Sequence, residues 1–211
     1  MIRCISPIDG SVYAERPTLD LTTAQDRVAA AKAAQTDWAA VPLAERIARV
    51  QAGVANVGAM NDDIVPELAH QMGRPVRYGG EFSGFNERAS YMADIAQDAL
   101  ADIVVENSDD FRRIIKRMPH GLVLVIAPWN YPYMTAINTV APALIAGNAV
   151  MLKHASQTPL AGERMAQAFH AAGVPGDVFQ NVFLDHQTTS DLIAARSFGF
   201  VNGSGWYTRP V

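Results

Sequence analysis

The sequence of 211 residues has a single cysteine, Cys4, which excludes a disulfide framework within the chain and a zinc site built on cysteines. No apolar run reaches the roughly 18 residues of a membrane span, and the first residues lack a signal-peptide core. Charged residues make up 18% and hydrophobic residues 49%, which excludes a disordered chain. We therefore expect a globular, cytoplasmic protein with no membrane partner.

Excess positive charge is also missing. The net charge is −4, which argues against a nucleic-acid partner because phosphate-backbone binding needs a basic surface. The whole net charge lies in residues 1–119, whereas residues 120–211 are balanced. This asymmetry indicates two regions with different roles. From the hydrophobic patterns described below, we expect a helical N-terminal part with an exposed hairpin over 1–119 and a sheet region over 120–211. No linker separates them, so we expect one structural unit.

The common nucleotide and metal motifs are absent. The sequence contains neither G-x-G-x-x-G nor G-x-x-x-x-G-K-[ST], and no two of its five histidines are spaced four apart. We expect no metal site, and any nucleotide site must use other residues.

The N-terminal part shows a hairpin signal and then helical periodicity. Residues 6–13 predict a hairpin that turns at Asp9-Gly10. Helices are predicted over 22–60, from an N-cap cluster at 61–63, and over 79–101. Residues 111–118 read as a charged, exposed hairpin strand, either simply solvated or a contact between subunits.

From His120 onward, strand and helix patterns alternate. Strands are predicted over 122–127, 149–152, 178–184 and 198–201, with helices over 135–146, 159–172 and 188–195. Thr158 is predicted to cap the second of these helices, ahead of Pro159. This βαβαβαβ order predicts an α/β fold: an incomplete Rossmann-like parallel sheet with helices on both faces, covered in addition by the N-terminal helices.

Ligands bind beyond the C-terminal ends of such strands, where two polar segments lie. The first, P-W-N-Y-P at 128–132, offers the Asn130 amide as a donor for an oxyanion, or as a cap of the next helix. The second begins with Lys153, either a donor to ribose or phosphate or an ordinary surface lysine. The turn around Gly203-Ser204 is a weaker phosphate-cradle candidate, and Cys4 is not expected to be a nucleophile.

Together these segments resemble the aldehyde dehydrogenase superfamily, over its N-terminal half only. The resemblance rests on P-W-N-Y-P at 128–132, A-P-A-L-I-A-G-N at 141–148, and Lys153 with Q-T-P at 157–159. It implies oxidation of a small aldehyde to the acid with NAD⁺ or NADP⁺. It also implies Asn130 as the oxyanion donor, and the following residues as coenzyme contacts: Ile126, Ala127, Pro128, Trp129, Lys153 and Ser204.

The sequence departs from the family pattern in three ways. Ser156 stands where NAD-preferring members often have Glu, so we expect NADP⁺ to be accepted; the K-H-A segment at 153–155 is similar to bacterial succinate-semialdehyde-type members. Residues 183–186 replace a Pro-Gly-rich loop, so that loop's coenzyme contacts do not carry over. The family's nucleophilic cysteine and general-base glutamate lie beyond Val211, and residues 206–211 look like a truncation or shifted frame. The alternative is therefore an inactive fragment, or a dinucleotide-binding or self-associating module.

Overall fold

The computed structural model describes residues 1–203. The chain begins with the expected hairpin. Strands β1 (Ile2–Ile5) and β2 (Val12–Arg16) pair antiparallel. The connection turns through Gly10, whose φ of +75° suits a residue without a Cβ, and the Asp9 carboxylate accepts a hydrogen bond from the Ser11 N–H at 3.0 Å. The predicted turn at Asp9-Gly10 is confirmed.

The helices that follow divide the predicted helical stretches into shorter pieces. Their bounds are α1 Leu21–Ala40, α2 Leu43–Ala59, α3 Asn61–Met72, α4 Phe82–Asp94 and α5 Ala96–Ala99. The helical pattern over 22–60 is confirmed and forms two helices, because Pro42 disfavours helical geometry at Val41 and becomes the N-cap of α2. The N-cap over 61–63 was wrong, since α3 follows Met60 directly and has no side-chain cap.

A second hairpin stands on the surface, as expected. Strands β3 (Ile103–Asn107) and β4 (Arg112–Ile115) pair antiparallel, and most of their residues are exposed. The charged strand predicted over 111–118 is therefore confirmed in kind and is shorter than expected.

The central element within residues 1–203 is a four-stranded parallel sheet in the order β7-β6-β5-β8. Its strands are β5 Leu122–Ile126, β6 Ala149–Lys153, β7 Phe179–Asn181 and β8 Phe200–Gly203. The connecting helices are α6 Pro132–Ile145, α7 Pro159–Ala171 and α8 His186–Ala194. The predicted alternation is confirmed, although β7 ends three residues early and β8 begins two residues late.

Helices cover both faces of this sheet, which accounts for the continuous apolar strands. Val123 and Val125 of β5 pack into a cluster with side chains of α2, α4, α6 and α7. Leu122 and Leu124 point to the opposite face, into a second cluster with α1 and α8. Since successive side chains of a strand point to opposite faces, every residue of β5 must be apolar.

The two central strands end at the same level. Ile126 of β5 pairs with Lys153 of β6 in the parallel register, and the Ala127 N–H donates to the Lys153 carbonyl at 3.0 Å. The loops that follow β5 and β6 therefore leave the sheet side by side. None of the helices described over residues 1–203 combines the length and apolarity needed to cross a bilayer.

Candidate functional site

The loops after β5 and β6 border a cavity of about 630 Å³ at the C-terminal edge of the sheet. The structure brings the candidate residues from both loops to this cavity: Ile126, Ala127, Pro128, Trp129, Asn130, Lys153 and Ser156. Two segments of the sequence, 126–130 and 153–156, thus line one cavity. Ser204, the remaining candidate, lies outside the described residues.

Asn130 is held by its own backbone neighbour. Its Oδ1 accepts a hydrogen bond from the Tyr131 N–H at 3.0 Å, and no described residue over 1–203 accepts from Nδ2. Tyr131 is the N-cap of α6, and its own side chain makes no cap hydrogen bond. The alternative that Asn130 caps the helix was therefore wrong, and its amide N–H group is left as a donor at the border of the cavity.

Lys153 is a buried cation rather than a surface lysine. Only 6% of the residue is exposed, and burial lowers the pKa of its ammonium while the carboxylate of Asp185 raises it. Within residues 1–203, no group accepts a hydrogen bond from its Nζ, although the residue lines the cavity. A buried ammonium with three open donors is suited to a polar or anionic ligand.

Ser156 is exposed at the border of the same cavity. It lies within a tight turn in which the Thr158 N–H donates to the Ala155 carbonyl at 3.1 Å. A hydroxyl at this point leaves room for an additional phosphate and can donate to it, whereas a carboxylate would repel it.

His154, next to Lys153, belongs to the scaffold. It is buried, its Nε2 lies 3.2 Å from the Pro132 carbonyl, and its Nδ1 lies 3.4 Å from the Thr158 hydroxyl. Burial lowers its pKa to about 4, so the ring is neutral at pH 7. Thr158 is the N-cap residue of α7 ahead of Pro159, as predicted, but its hydroxyl faces the His154 ring and makes no hydrogen bond to the helix. Through its Nε2, the His154 ring in turn ties the β6 loop to the start of α6.

Sequence reasoning missed two contributors to the cavity. The N-terminal hairpin and the segment after β2 supply Met1, Ile2, Arg3 and Thr18, while the start of α8 supplies Leu184, Asp185 and His186. Asp185 is the N-cap of α8 and accepts from the Thr188 N–H at 2.7 Å, a bond that lowers the pKa of its carboxyl. An Asp before a helical stretch is a recognisable N-cap signal, whereas nothing local in the sequence links the hairpin to this edge of the sheet.

Cys4 is built into the interior. Its Sγ donates a hydrogen bond to the Gln157 carbonyl at 3.1 Å, and burial raises the pKa of the thiol. A thiol that is buried and held neutral is a poor nucleophile. The buried thiol connects β1 to the loop after β6.

Comparison with known proteins identifies one family over nearly the whole chain. The model of the aldehyde dehydrogenase family matches residues 1–205. The vanillin dehydrogenase of Corynebacterium glutamicum is 34% identical over 186 residues, and a putative NADP⁺-type succinate-semialdehyde dehydrogenase of Mycolicibacterium smegmatis is 36% identical over 172. The matches cover 84% and 78% of this chain. They cover only 37% and 33% of those two proteins, so the chain spans well under half of their length.

Solved structures show the same partial correspondence. An NAD-dependent benzaldehyde dehydrogenase from Corynebacterium glutamicum superimposes with a TM-score of 0.81 at 31% identity, covering 90% of this chain and 42% of that one. An NADP-dependent glyceraldehyde-3-phosphate dehydrogenase from Bacillus halodurans, complexed with NADP, has a TM-score of 0.82 at 29% identity, covering 90% and 41%. The arrangement of strands and helices is therefore shared with one part of each enzyme.

Proposed function

The chain belongs to the aldehyde dehydrogenase family, and from that premise we propose that it supplies the coenzyme-binding and carbonyl-polarising part of an NAD(P)⁺-dependent aldehyde oxidation. The observation that carries the proposal is the single cavity onto which Asn130, Lys153 and the backbone of 126–129 open. These groups come from two adjacent strand ends, the place where parallel sheets bind nucleotides.

The residues present fit a dinucleotide. The buried Lys153 ammonium has open donors and faces a cavity of about 630 Å³, large enough for a substantial part of such a ligand. In this proposal Lys153 binds ribose hydroxyls, Ser156 lies beside the ribose 2′ position, and residues 126–129 line the coenzyme. Ser204, outside the described residues, stays a predicted coenzyme contact.

Asn130 is assigned the role of hydrogen-bond donor to the oxyanion. Because its Oδ1 is bound by the Tyr131 N–H, the Nδ2 hydrogens are free to donate to an aldehyde oxygen on which negative charge develops. A bound NAD(P)⁺ supplies the hydride acceptor for the aldehyde carbon. The chain's own contribution is to bind, orient and polarise.

Aldehyde oxidation in this family needs a cysteine thiolate as the nucleophile. No residue described near Asn130 supplies one. Cys4 is the one cysteine of the sequence, and it is buried against the Gln157 carbonyl. On this observation, the second candidate function is a catalytically inactive fragment or module that retains dinucleotide binding. The two candidates share the coenzyme site and differ in turnover.

Substrate and coenzyme preference extend the proposal. We infer a semialdehyde substrate, since relatives named for semialdehyde oxidation are among the most similar. We also infer acceptance of NADP⁺, since Ser156 adds no negative charge beside the ribose.

We also infer a cytoplasmic location, in keeping with the lone cysteine. Self-association is part of the proposal because the β3–β4 hairpin exposes apolar side chains such as Val104 and Phe111.

Calorimetric titration of the purified chain with NADP⁺ and with NAD⁺ tests the coenzyme site. Lys153→Met keeps the apolar stem and removes the donors, so we expect at least about tenfold weaker binding, as for loss of a charge-assisted hydrogen bond. Lys32→Met, an exposed lysine on α1, is the matched control and should bind like wild type. Equal affinity of Lys153→Met and wild type, or no binding by wild type, would overturn the proposal.

Turnover separates the two candidate functions. The same preparations are assayed for NAD(P)H formation from succinic semialdehyde. Coenzyme binding without NAD(P)H formation supports the module, and formation that persists in Cys4→Ser shows oxidation without the cysteine of this chain.

A further inference from the structure

A buried ion pair lies behind the loop that carries Asn130. Arg74 Nη1 is 2.9 Å from Glu81 Oε1, and the two side chains are 12% and 2% exposed. Arg74 follows Gly73, which ends α3 in the left-handed region with φ +76°, and Glu81 is the N-cap of α4. The chain reverses direction between α3 and α4, and this reversal brings the Arg74 and Glu81 side chains together.

Arg74 contacts the loop from one side. Its Nη2 donates to the Asn130 carbonyl at 3.1 Å, across 56 positions of sequence. Its guanidinium carbon also lies 5.1 Å from the centre of the Tyr131 ring, within the range of a cation–π contact. A planar group with five donors can make these contacts and the ion pair together, which an ammonium cannot.

Glu81 contacts the start of α6 on the other side. Its Oε2 accepts from the Met134 N–H at 2.8 Å. This donor belongs to the first turn of α6, whose N-cap residue Tyr131 makes no side-chain cap, and a carboxylate is favoured at such a helix start. Oε1 has the charge of Arg74 beside it but no donor aligned for a hydrogen bond.

We propose that Arg74 and Glu81 are positioning residues that jointly fix the Asn130 amide at the cavity. Arg74 holds the Asn130 carbonyl and the Tyr131 ring, while Glu81 holds the first turn of α6 that follows. The peptide between these anchors carries the Tyr131 N–H, which in turn fixes Asn130 Oδ1. The amide orientation is thereby set from outside the loop. The importance of this orientation rests on the proposed role of Asn130 as an oxyanion donor.

The test reads the loop directly, by NMR of the ¹⁵N-labelled full chain without any ligand. Arg74→Lys retains the charge beside Glu81 but cannot bridge to Asn130 and Tyr131. We expect the side-chain NH₂ resonances of Asn130 to shift and broaden. Glu81→Gln keeps an oxygen acceptor for the Met134 N–H but removes its negative charge. We therefore expect Met134 N–H exchange to accelerate about tenfold, the change when a charge-assisted hydrogen bond becomes a neutral one, and the Asn130 resonances to shift as well.

Arg77→Lys is the matched control, because Arg77 also stacks on a tyrosine, Tyr78, at 5.0 Å, yet contacts nothing in the loop. It should leave the Asn130 resonances unchanged. Rescue is tested by Glu81→Asp, which restores the negative charge and should return the Asn130 resonances toward wild type relative to Glu81→Gln. Chemical-shift dispersion and thermal melting report whether each variant is folded.

The proposal is overturned if a folded Arg74→Lys gives Asn130 resonances within the spread of wild type and Arg77→Lys. It is also overturned if both Arg74→Lys and Glu81→Gln unfold the chain, because the pair then acts on the core as a whole. The outcome is independent of coenzyme: failure of wild type to bind NAD(P)⁺ contradicts the proposed function and leaves the loop measurement intact.

Discussion

Ile126 and Lys153 lie opposite one another in the parallel ladder between β5 and β6, with the Ala127 N–H bound to the Lys153 carbonyl at 3.0 Å. This pairing sets the relative height of two loops that are far apart in the sequence. It places the Asn130 amide and the Lys153 ammonium on one cavity, although neither residue belongs to a motif that contains the other. The candidate site is therefore a consequence of strand register.

Ser156→Glu should weaken the binding of NADP⁺ more than that of NAD⁺. An added carboxylate at the border of the cavity repels a ribose 2′-phosphate and can accept from ribose hydroxyls. We expect NADP⁺ affinity to fall about tenfold or more, with a smaller change for NAD⁺, measured by calorimetry. Gln157→Glu adds the same charge at an exposed neighbour outside the cavity wall, so it should alter both affinities little. An unchanged ratio of the two affinities in Ser156→Glu would contradict the assignment.

His154 should make the protein less stable as the pH falls. Its pKa is about 4 in the folded chain against an ordinary 6.5, so between these values the unfolded chain binds a proton that the folded chain excludes. The free energy of unfolding should decline from about pH 6.5 to about pH 4, by about 3 kcal/mol in total. Urea unfolding at a series of pH values measures it.

His154→Gln retains a side-chain donor for the Pro132 carbonyl and removes the titrating ring, so the decline between pH 6.5 and 4.5 should flatten. Exposed His120 is the control position, and His120→Gln should keep the wild-type slope. The range above pH 4.5 is chosen because Asp9, Asp20 and Asp185 have lowered pKa values, so their protonation costs stability at lower pH. A wild-type slope in His154→Gln would disprove the assignment.

Cys4 should resist thiol reagents in the folded chain. The thiol is 1% exposed and its pKa is raised by burial, so both access and the thiolate fraction are low. We expect labelling by a disulfide reagent to be roughly a hundredfold slower than in denaturant, with a rate set by opening of the hairpin. Since the sequence has one cysteine, the denatured chain gives the full signal as its own reference. Rapid labelling under native conditions would show that β1 does not hold the thiol as described.

Trp38→Phe should destabilise the fold by about 1–3 kcal/mol, from a lost hydrogen bond and a smaller ring in the core. The Trp38 indole is fully buried, and its Nε1 donates to the Leu144 carbonyl at 2.9 Å, which joins α1 to the end of α6. Trp129→Phe, at a half-exposed site in the loop, should change stability by less than about 0.5 kcal/mol. Chemical unfolding followed by circular dichroism compares the two. Equal losses would remove the argument that Trp38 connects the helical part to the sheet.

Local signals account for what the sequence predicted well. A run of apolar residues over 122–126 specifies a buried parallel strand, because both faces of such a strand must be apolar, and the later apolar runs do the same. The positions of Asn130 and Lys153 just after two such strands follow from the same pattern, since parallel strands end at one edge. The hairpin turn at Gly10 could be predicted from the residues of the turn alone.

Contacts between distant segments account for what the sequence could not predict. The pairing of Arg74 and Glu81 with the Asn130 loop spans about fifty residues, and the hairpin that contributes Arg3 to the cavity lies over a hundred residues from β6. The hydroxyl of Thr158 turned to the His154 ring rather than to its own helix, because packing brought a buried acceptor within reach. Periodicity and capping rules describe a segment and its immediate neighbours. The sequence by itself therefore determined which elements form and where the candidate loops begin, and tertiary packing alone decided which side chains meet around the cavity and hold the Asn130 amide.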